Sequence, residues 1–206
     1  MDRKVLKEKA KASLKGKLGE CIKLILIFFA INFGAGFVLG LISGILGLST
    51  TIIEFLSTVL SLVISSAFGF GLISFFLKMS RGEEVTYKEL FAKKDLMIPY
   101  LIISLVTALL TMLWSILLII PGIIAAISYS FVYFIFLDNP NMKPIDTLKA
   151  SKDMLQGHKM DLFLLMLSFL GWIILGVFTL GILYVWLIPY MTLTECNFYN
   201  QLKEQK

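Results

Sequence analysis

Charge is what this chain has least of: only 16% of its 206 residues are charged, and its mean hydropathy is +0.87. A soluble domain of this size carries about a quarter charged residues. Histidine occurs once, as His158, and cysteine twice, as Cys21 and Cys196. A single histidine with no partner histidines makes a zinc centre improbable. Both cysteines fall at expected cytoplasmic edges of apolar runs, where a reducing compartment disfavours a disulfide. No GxxxxGK[ST], HExxH or GxSxG pattern occurs, so nucleotide-loop, zincin and serine-hydrolase chemistries lose their usual signatures. No acid–base pair and no nucleophile with its activator can be named. The expectation is a non-enzymatic protein without cofactor or metal.

What the chain has instead is uninterrupted apolar sequence. Residues 24–53, 55–77, 96–137 and 162–194 carry no charge. A bilayer core about 30 Å thick takes roughly 20 apolar residues in helical form. The first two runs suit one span each. The third is twice the necessary length and holds Pro121-Gly122 near its middle, a turn signal. The fourth gives two short spans turning near 176–181, with a re-entrant element as the alternative. The expected fold is an all-α membrane protein of six transmembrane helices in three hairpins, with short amphipathic cytoplasmic helices. The spans are placed roughly at 24–48, 55–77, 96–118, 122–137, 162–178 and 181–198, in one membrane domain over 1–206.

Lysine and arginine set the orientation. Residues 1–23 hold eight, 78–95 five, 138–161 four and 195–206 two, which accounts for all 19; the three intervening turns hold none. Short loops rich in these residues stay cytoplasmic, so both termini are expected inside. A secretory signal peptide would have an apolar region of about 7–15 residues; the first run is about double that, which favours an uncleaved span. Topology accounts for the net charge of +5, so no nucleic-acid partner is needed to explain it.

The basic segments read as surface helices. Leu6, Ala10, Leu14 and Leu18 recur every four residues among lysines, giving a basic amphipathic helix over 1–23 that feeds the first span. Its two readings are a topological anchor, which is favoured, and a lipid sensor. Thr86 to Glu89 fits a capping box, with Val85 and Leu90 as the staple. Pro144 suits a first helical turn, followed by Ile145, Leu148 and Leu155 on one face. Asp138, Asp146, Asp153 and Asp161 are matched by four lysines of the same segment and read as a solvated face. Successive units of about 65 residues, with Leu14-Lys15-Gly16-Lys17 echoed by Leu155-Gln156-Gly157-His158, raise a triplication against the plainer reading that any in-out-in protein looks alike.

Within the spans, close packing of small residues replaces the hydrophobic drive that lipid removes. Gly36, Gly40 and Gly44 face Ser57, Ser61, Ser65 and Gly69 in an expected tight hairpin with hydroxyls bonding across it. Gly122, Ala126 and Ser130 make a similar ridge, as do Thr107, Thr111 and Ser115. The functional alternative is a path for a solute. Glu54 reads as an outer cap of the second span rather than a vestibule acid, and Pro189 as a kink.

Several stretches together carry a family likeness: Pro121-Gly122-Ile123-Ile124-Ala125, Ser128-Tyr129-Ser130, Asp138-Asn139-Pro140, Ala150-Ser151-Lys152, Met154 to Lys159, Ser168 to Trp172, Ile188-Pro189-Tyr190 and Phe198-Tyr199. With the 6–18 region and the loop from Arg81-Gly82 to Leu90-Phe91, the chain resembles the DUF975 family over nearly its whole length. The resemblance implies a bacterial integral membrane protein and lends no catalytic residues. Its pattern is densest at Gly157, His158, Lys159, Gly171 and Trp172, which with Pro189 are the candidate functional positions. The expected role is a scaffold of the bacterial cytoplasmic membrane that associates with membrane lipids, anionic ones included, with a membrane-protein partner or with a second copy as a homo-oligomer. A channel or facilitator for a small neutral or weakly polar solute is the alternative.

Overall fold

The computed structural model describes residues 2–88 and 94–205. Among these the regular structure is helical: α1 (Arg3–Leu14), α2 (Leu18–Leu46), α3 (Thr50–Ser80), α4 (Met97–Leu117), α5 (Ile119–Ser128), α6 (Val132–Asp138), α7 (Pro144–Met154), α8 (Lys159–Leu167), α9 (Leu170–Phe178) and α10 (Tyr184–Glu204). Five segments are long and apolar enough to cross a membrane: Leu18–Leu46, Thr50–Ser80, Met97–Ile116, Ile120–Asp138 and Lys159–Phe178. α10 is not among them, because Glu195, Asn197, Asn200, Gln201 and Lys203 make its second half polar. The Thr86–Glu89 capping box and its Leu90 staple partner fall partly on residues outside those described.

Punctuation residues explain where the helices end. Leu118 is fully extended between α4 and α5, so Pro121 lies in the first turn of α5 rather than in the connection itself. Its missing N–H costs nothing there, because first-turn amides have no intrahelical acceptor. Gly122 then lies flat against Ser115, whose Cα would be 2.8 Å from any added Cβ. That contact seats α5 on α4. The helix expected to run from residue 1 into the first span is broken at Gly16, whose φ is +82°, and Gly157 repeats the device between α7 and α8 with φ +85°. The echo between those two stretches is therefore a shared helix-turn-helix link.

Two packing expectations are corrected. Gly36, Gly40 and Gly44 face open space on the outside of α2. α2 meets α3 through the neighbouring stripe, where Phe28 and Phe68 stack at 4.6 Å between centroids. Rings that size fix the rotation of the helix, and the glycines follow on the far side. Ser61 and Ser65 are exposed, Ser57 half-buried, and Gly69 faces the Tyr100 hydroxyl. Nor do the expected cross-helix hydroxyl bonds form. Ser57 donates to the Glu54 carbonyl, Ser104 to Leu101, Thr111 to Thr107 and Ser115 to Thr111, each within its own helix, and Ser130, in the turn after α5, donates back to Ile127. A local carbonyl one turn back is always within reach, and it wins. Ala126 points outward.

The core gathers at one end of the bundle. Phe75, Phe76 and Met79 of α3, Phe131 to Leu137, and Leu187 to Leu202 of α10 hold about half of the buried side chains. Phe134 stacks on Tyr199 at 5.3 Å and Phe131 meets Phe198 at 5.9 Å. α1 joins this end: Leu6, Ala10 and Leu14 are buried, and Asn197 of α10 donates to the Leu6 carbonyl. α7 is pinned by Ser151, whose buried hydroxyl donates 2.8 Å to the Ser128 carbonyl of α5. Leu148 and Leu155 are buried as expected, but Ile145 is turned outward and Thr147 takes its place on the inner face.

Candidate functional site

Three chain ends meet at Asp138. It is the last residue of α6, next to Arg81 just beyond α3 and the final turns of α10. Arg81 donates from Nη1 to Oδ1 at 2.9 Å and from Nη2 to Oδ2 at 2.8 Å, a two-pronged pair. Tyr199 Oη donates to Oδ2 at 2.8 Å, and Lys203 Nζ lies 2.6 Å from the same oxygen. Asp138 is only 9% exposed, against 31% for Arg81 and 52% for Lys203. The network continues: Arg81 Nε donates to Asn200 Oδ1 and Asn200 Nδ2 to Ser80 Oγ, which in turn donates to the Leu77 carbonyl.

The local physics of each element dictates this convergence. The C-terminal ends of α3 and α10 carry unpaired carbonyls and partial negative charge, which draw in Arg81, Lys78 and Lys203. Those cations need an anion, and Asp138 supplies it. A planar guanidinium matches a carboxylate in two parallel bonds, which a lysine cannot do. The hydrogen bond to Asp138 raises the Arg81 pKa above the ordinary arginine value, partial desolvation opposing. The cluster ties the ends of α3, α6 and α10 together.

Sequence reasoning missed it. Asp138 reads as one of four solvated aspartates, yet it is closed in by Arg81, Tyr199 and Lys203. A signal was present: Arg81 is one of only two arginines, and arginine rather than lysine at a chain reversal points to a fixed carboxylate partner.

Two cavities adjoin α10. A polar valley of about 580 Å³ beside the cluster is lined by Lys9, Arg81, Lys203, Asn197, Asn200 and Gln201, with Glu204 on its margin. An apolar slot of about 370 Å³ between α2, α3 and α10 is walled by Phe28, Phe68, Phe76, Tyr184 and Pro189. Pro189 is thus a buried wall residue within α10.

The other candidate positions do not converge on either cavity. His158 is partly exposed, its Nδ1 3.2 Å from Asp161 Oδ2 one turn on, and Lys159 opens α8 beside it. Gly171 faces open space. Trp172 packs on Trp186 at 6.1 Å, which continues to Tyr190 and Phe169 as an aromatic seam between α9 and α10. Glu195, assigned by sequence to the cytoplasmic tail, sits half-buried within α10 between buried Thr194 and Cys196. Cys21 and Cys196 are both buried free thiols.

Among the stretches that carry the family likeness, Arg81, Asp138 and Tyr199 come from three distant parts of the chain and close on one another. Ser128 and Ser151, from two more, are joined by a hydrogen bond. No curated protein and no solved structure matches the chain. A family model described as "Protein of unknown function (DUF975)" matches residues 1–128 and 116–206. The chain belongs to the DUF975 family.

Proposed function

We propose that this is a non-enzymatic scaffold of the bacterial cytoplasmic membrane, which works by associating with lipid or with another membrane protein. The observation that carries it is the pairing of a sealed ionic fastener with a broad outward apolar surface. α2 and the outer half of α3 present Phe29, Phe33, Phe37, Ile45 and Phe55 to the surroundings, while the acidic group of the fastener is enclosed by its own donors. Polar chemistry is spent on holding helix ends together, and contact surface is what remains.

The reading includes six passes in three pairs, with both termini in the cytoplasm. Its support is that α3, α6 and α10 end in the same cluster, as the returning strokes of three pairs would. Every one of the connecting segments at that end is rich in lysine or arginine, and cationic short loops are retained inside. α10 would then be a short span whose second half emerges into the cytoplasm. The facilitator alternative draws less support, because Ser104, Thr111 and Ser115 of the third span donate to carbonyls of their own helix, the Thr107 hydroxyl being buried without a partner among the described residues, and the slot beside α10 is almost wholly apolar-walled.

Chemical crosslinking of the protein in native membranes, read by mass spectrometry, tests the proposal. Reproducible links to a second copy, to a defined membrane protein or to a lipid class are expected. Recovery only as an isolated monomer without lipid preference, together with solute flux in proteoliposomes, would replace it with the facilitator.

A further inference from the structure

Docking α1 on α10 through Leu6, Ala10 and Leu14 leaves the rest of that helix turned outward, and its cations are unevenly matched. Helical geometry places Lys4 and Lys7 on one side of the buried stripe and Lys9 on the other, with Arg3 at the stripe's N-terminal end. Each side borders a valley. Lys9 faces Arg81, Lys203 and the Gln201 amide across the one beside the Asp138 cluster. Arg3, Lys4 and Lys7 line the other, about 570 Å³ in size, together with Asp2 and with Ser168 at the α8–α9 junction.

Of the acids near these cations two are already engaged, which leaves Glu8 of α1 and Glu204 of α10 to face them. Asp138 is taken up by Arg81, Tyr199 and Lys203. Asp2 Oδ1 accepts from the Lys4 amide at 2.8 Å as the cap of α1. Among the described residues, Arg3, Lys4 and Lys9 have no carboxylate within ion-pair distance. The first valley sets Glu204 against three cations, of which Arg81 and Lys203 share Asp138 and Lys9 has no carboxylate partner among the described residues. Lys7 is held in place from below, its ammonium 4.2 Å over the Phe169 ring and donating to the Ser168 carbonyl. Partial burial, then the nearby charges of Arg3 and Lys11, depress its pKa. Burial is the larger cause, and the two neighbouring cations add to it.

We propose that the two valleys flanking α1 bind phosphate groups, presented by anionic lipid headgroups at the inner membrane face. A phosphate offers several acceptor oxygens to separately rooted N–H donors, which is what each valley supplies. The apolar face of α1 is spent on α10, so this contact is electrostatic and does not require the helix to insert. The proposal rests on the lipid-associating reading above.

The test uses the full chain in nanodiscs of mixed phosphatidylglycerol and phosphatidylcholine, with retained lipid counted by native mass spectrometry. Phosphatidylglycerol is expected to be enriched. Lys9→Gln and the pair Arg3→Gln with Lys4→Gln should each cut the enrichment, about fivefold per cation removed. Lys149→Gln, an exposed lysine of α7 outside both valleys, should leave it unchanged. A second arm titrates inorganic phosphate into protein held in phosphatidylcholine alone. Phosphate binding that the valley variants abolish, without phosphatidylglycerol enrichment, keeps the phosphate chemistry and assigns it to the free ion. Enrichment that survives the valley substitutions, or falls equally with Lys149→Gln, overturns the proposal while leaving the lipid-associating reading in place. Neither enrichment nor phosphate binding overturns the valleys and removes the lipid half of that reading, leaving only protein partners.

Discussion

Asp138 concentrates more interaction energy than any other polar residue described. Asp138→Ala leaves the Arg81 guanidinium and the Lys203 ammonium facing a hole in place of their shared anion. Loss of one partner from a largely buried pair costs several kcal/mol, and the partial exposure of both cations argues for the lower part of that range, about 2–4 kcal/mol. Thermal unfolding in detergent, followed by circular dichroism, should show that loss. Arg81→Lys keeps the charge but replaces the two-pronged pair with a single contact, and should cost about 1–2 kcal/mol. An Asp138→Ala protein as stable as wild type would mean the cluster is solvent-screened and holds nothing together.

At the level of the element, glycines of identical type predict opposite outcomes. Gly122→Val drives a side chain into the backbone of Ser115 and should destabilise the α4–α5 contact by about 1–3 kcal/mol. Gly157→Ala forces a non-glycine residue into left-handed backbone, at a cost of about 1–2 kcal/mol. Gly40→Ala meets only open space and should stay within about 0.5 kcal/mol of wild type. The same unfolding assay ranks the three, and a large effect at Gly40 would reveal a second molecule packed on that ridge. Leu6→Asp should release α1 from α10, since it buries a charge in place of an apolar anchor. Hydrogen exchange over residues 3–14 should then rise sharply, while that of α4 and α5 stays as before.

For the whole molecule the decisive quantity is sidedness. In a background with Cys21 and Cys196 replaced by serine, Ser49→Cys should react with a membrane-impermeant maleimide in intact cells. Lys149→Cys should react only after permeabilisation. External labelling of Lys149→Cys would invert the topology and detach the proposed lipid contacts from the inner leaflet. The gathering of α3, α6 and α10 at Asp138 makes the forecast stricter than charge distribution alone, because all three ends must share one compartment.

How much of this could be read from residues alone divides along the range of the forces involved. Hydropathy and helix punctuation act over a few neighbours, so the apolar runs, the turn after residue 117 and the link at Gly157 are written into adjacent positions, while the break at Gly16 goes unread because its flanking residues keep a helical pattern. Family membership too is legible, because its pattern is local and repeated along the chain. The rotation of each helix about its own axis is not local. Gly36, Gly40 and Gly44 form a seam on paper, yet Phe28 and Phe68 decide which face turns inward, and those two lie 40 positions apart. Asp138 likewise looks like any surface aspartate until α3 and α10 bring Arg81, Tyr199 and Lys203 to it. Sequence by itself determined which segments are apolar and helical; only tertiary contact, which pairs groups distant along the chain, decided which faces are buried and where the charges are joined.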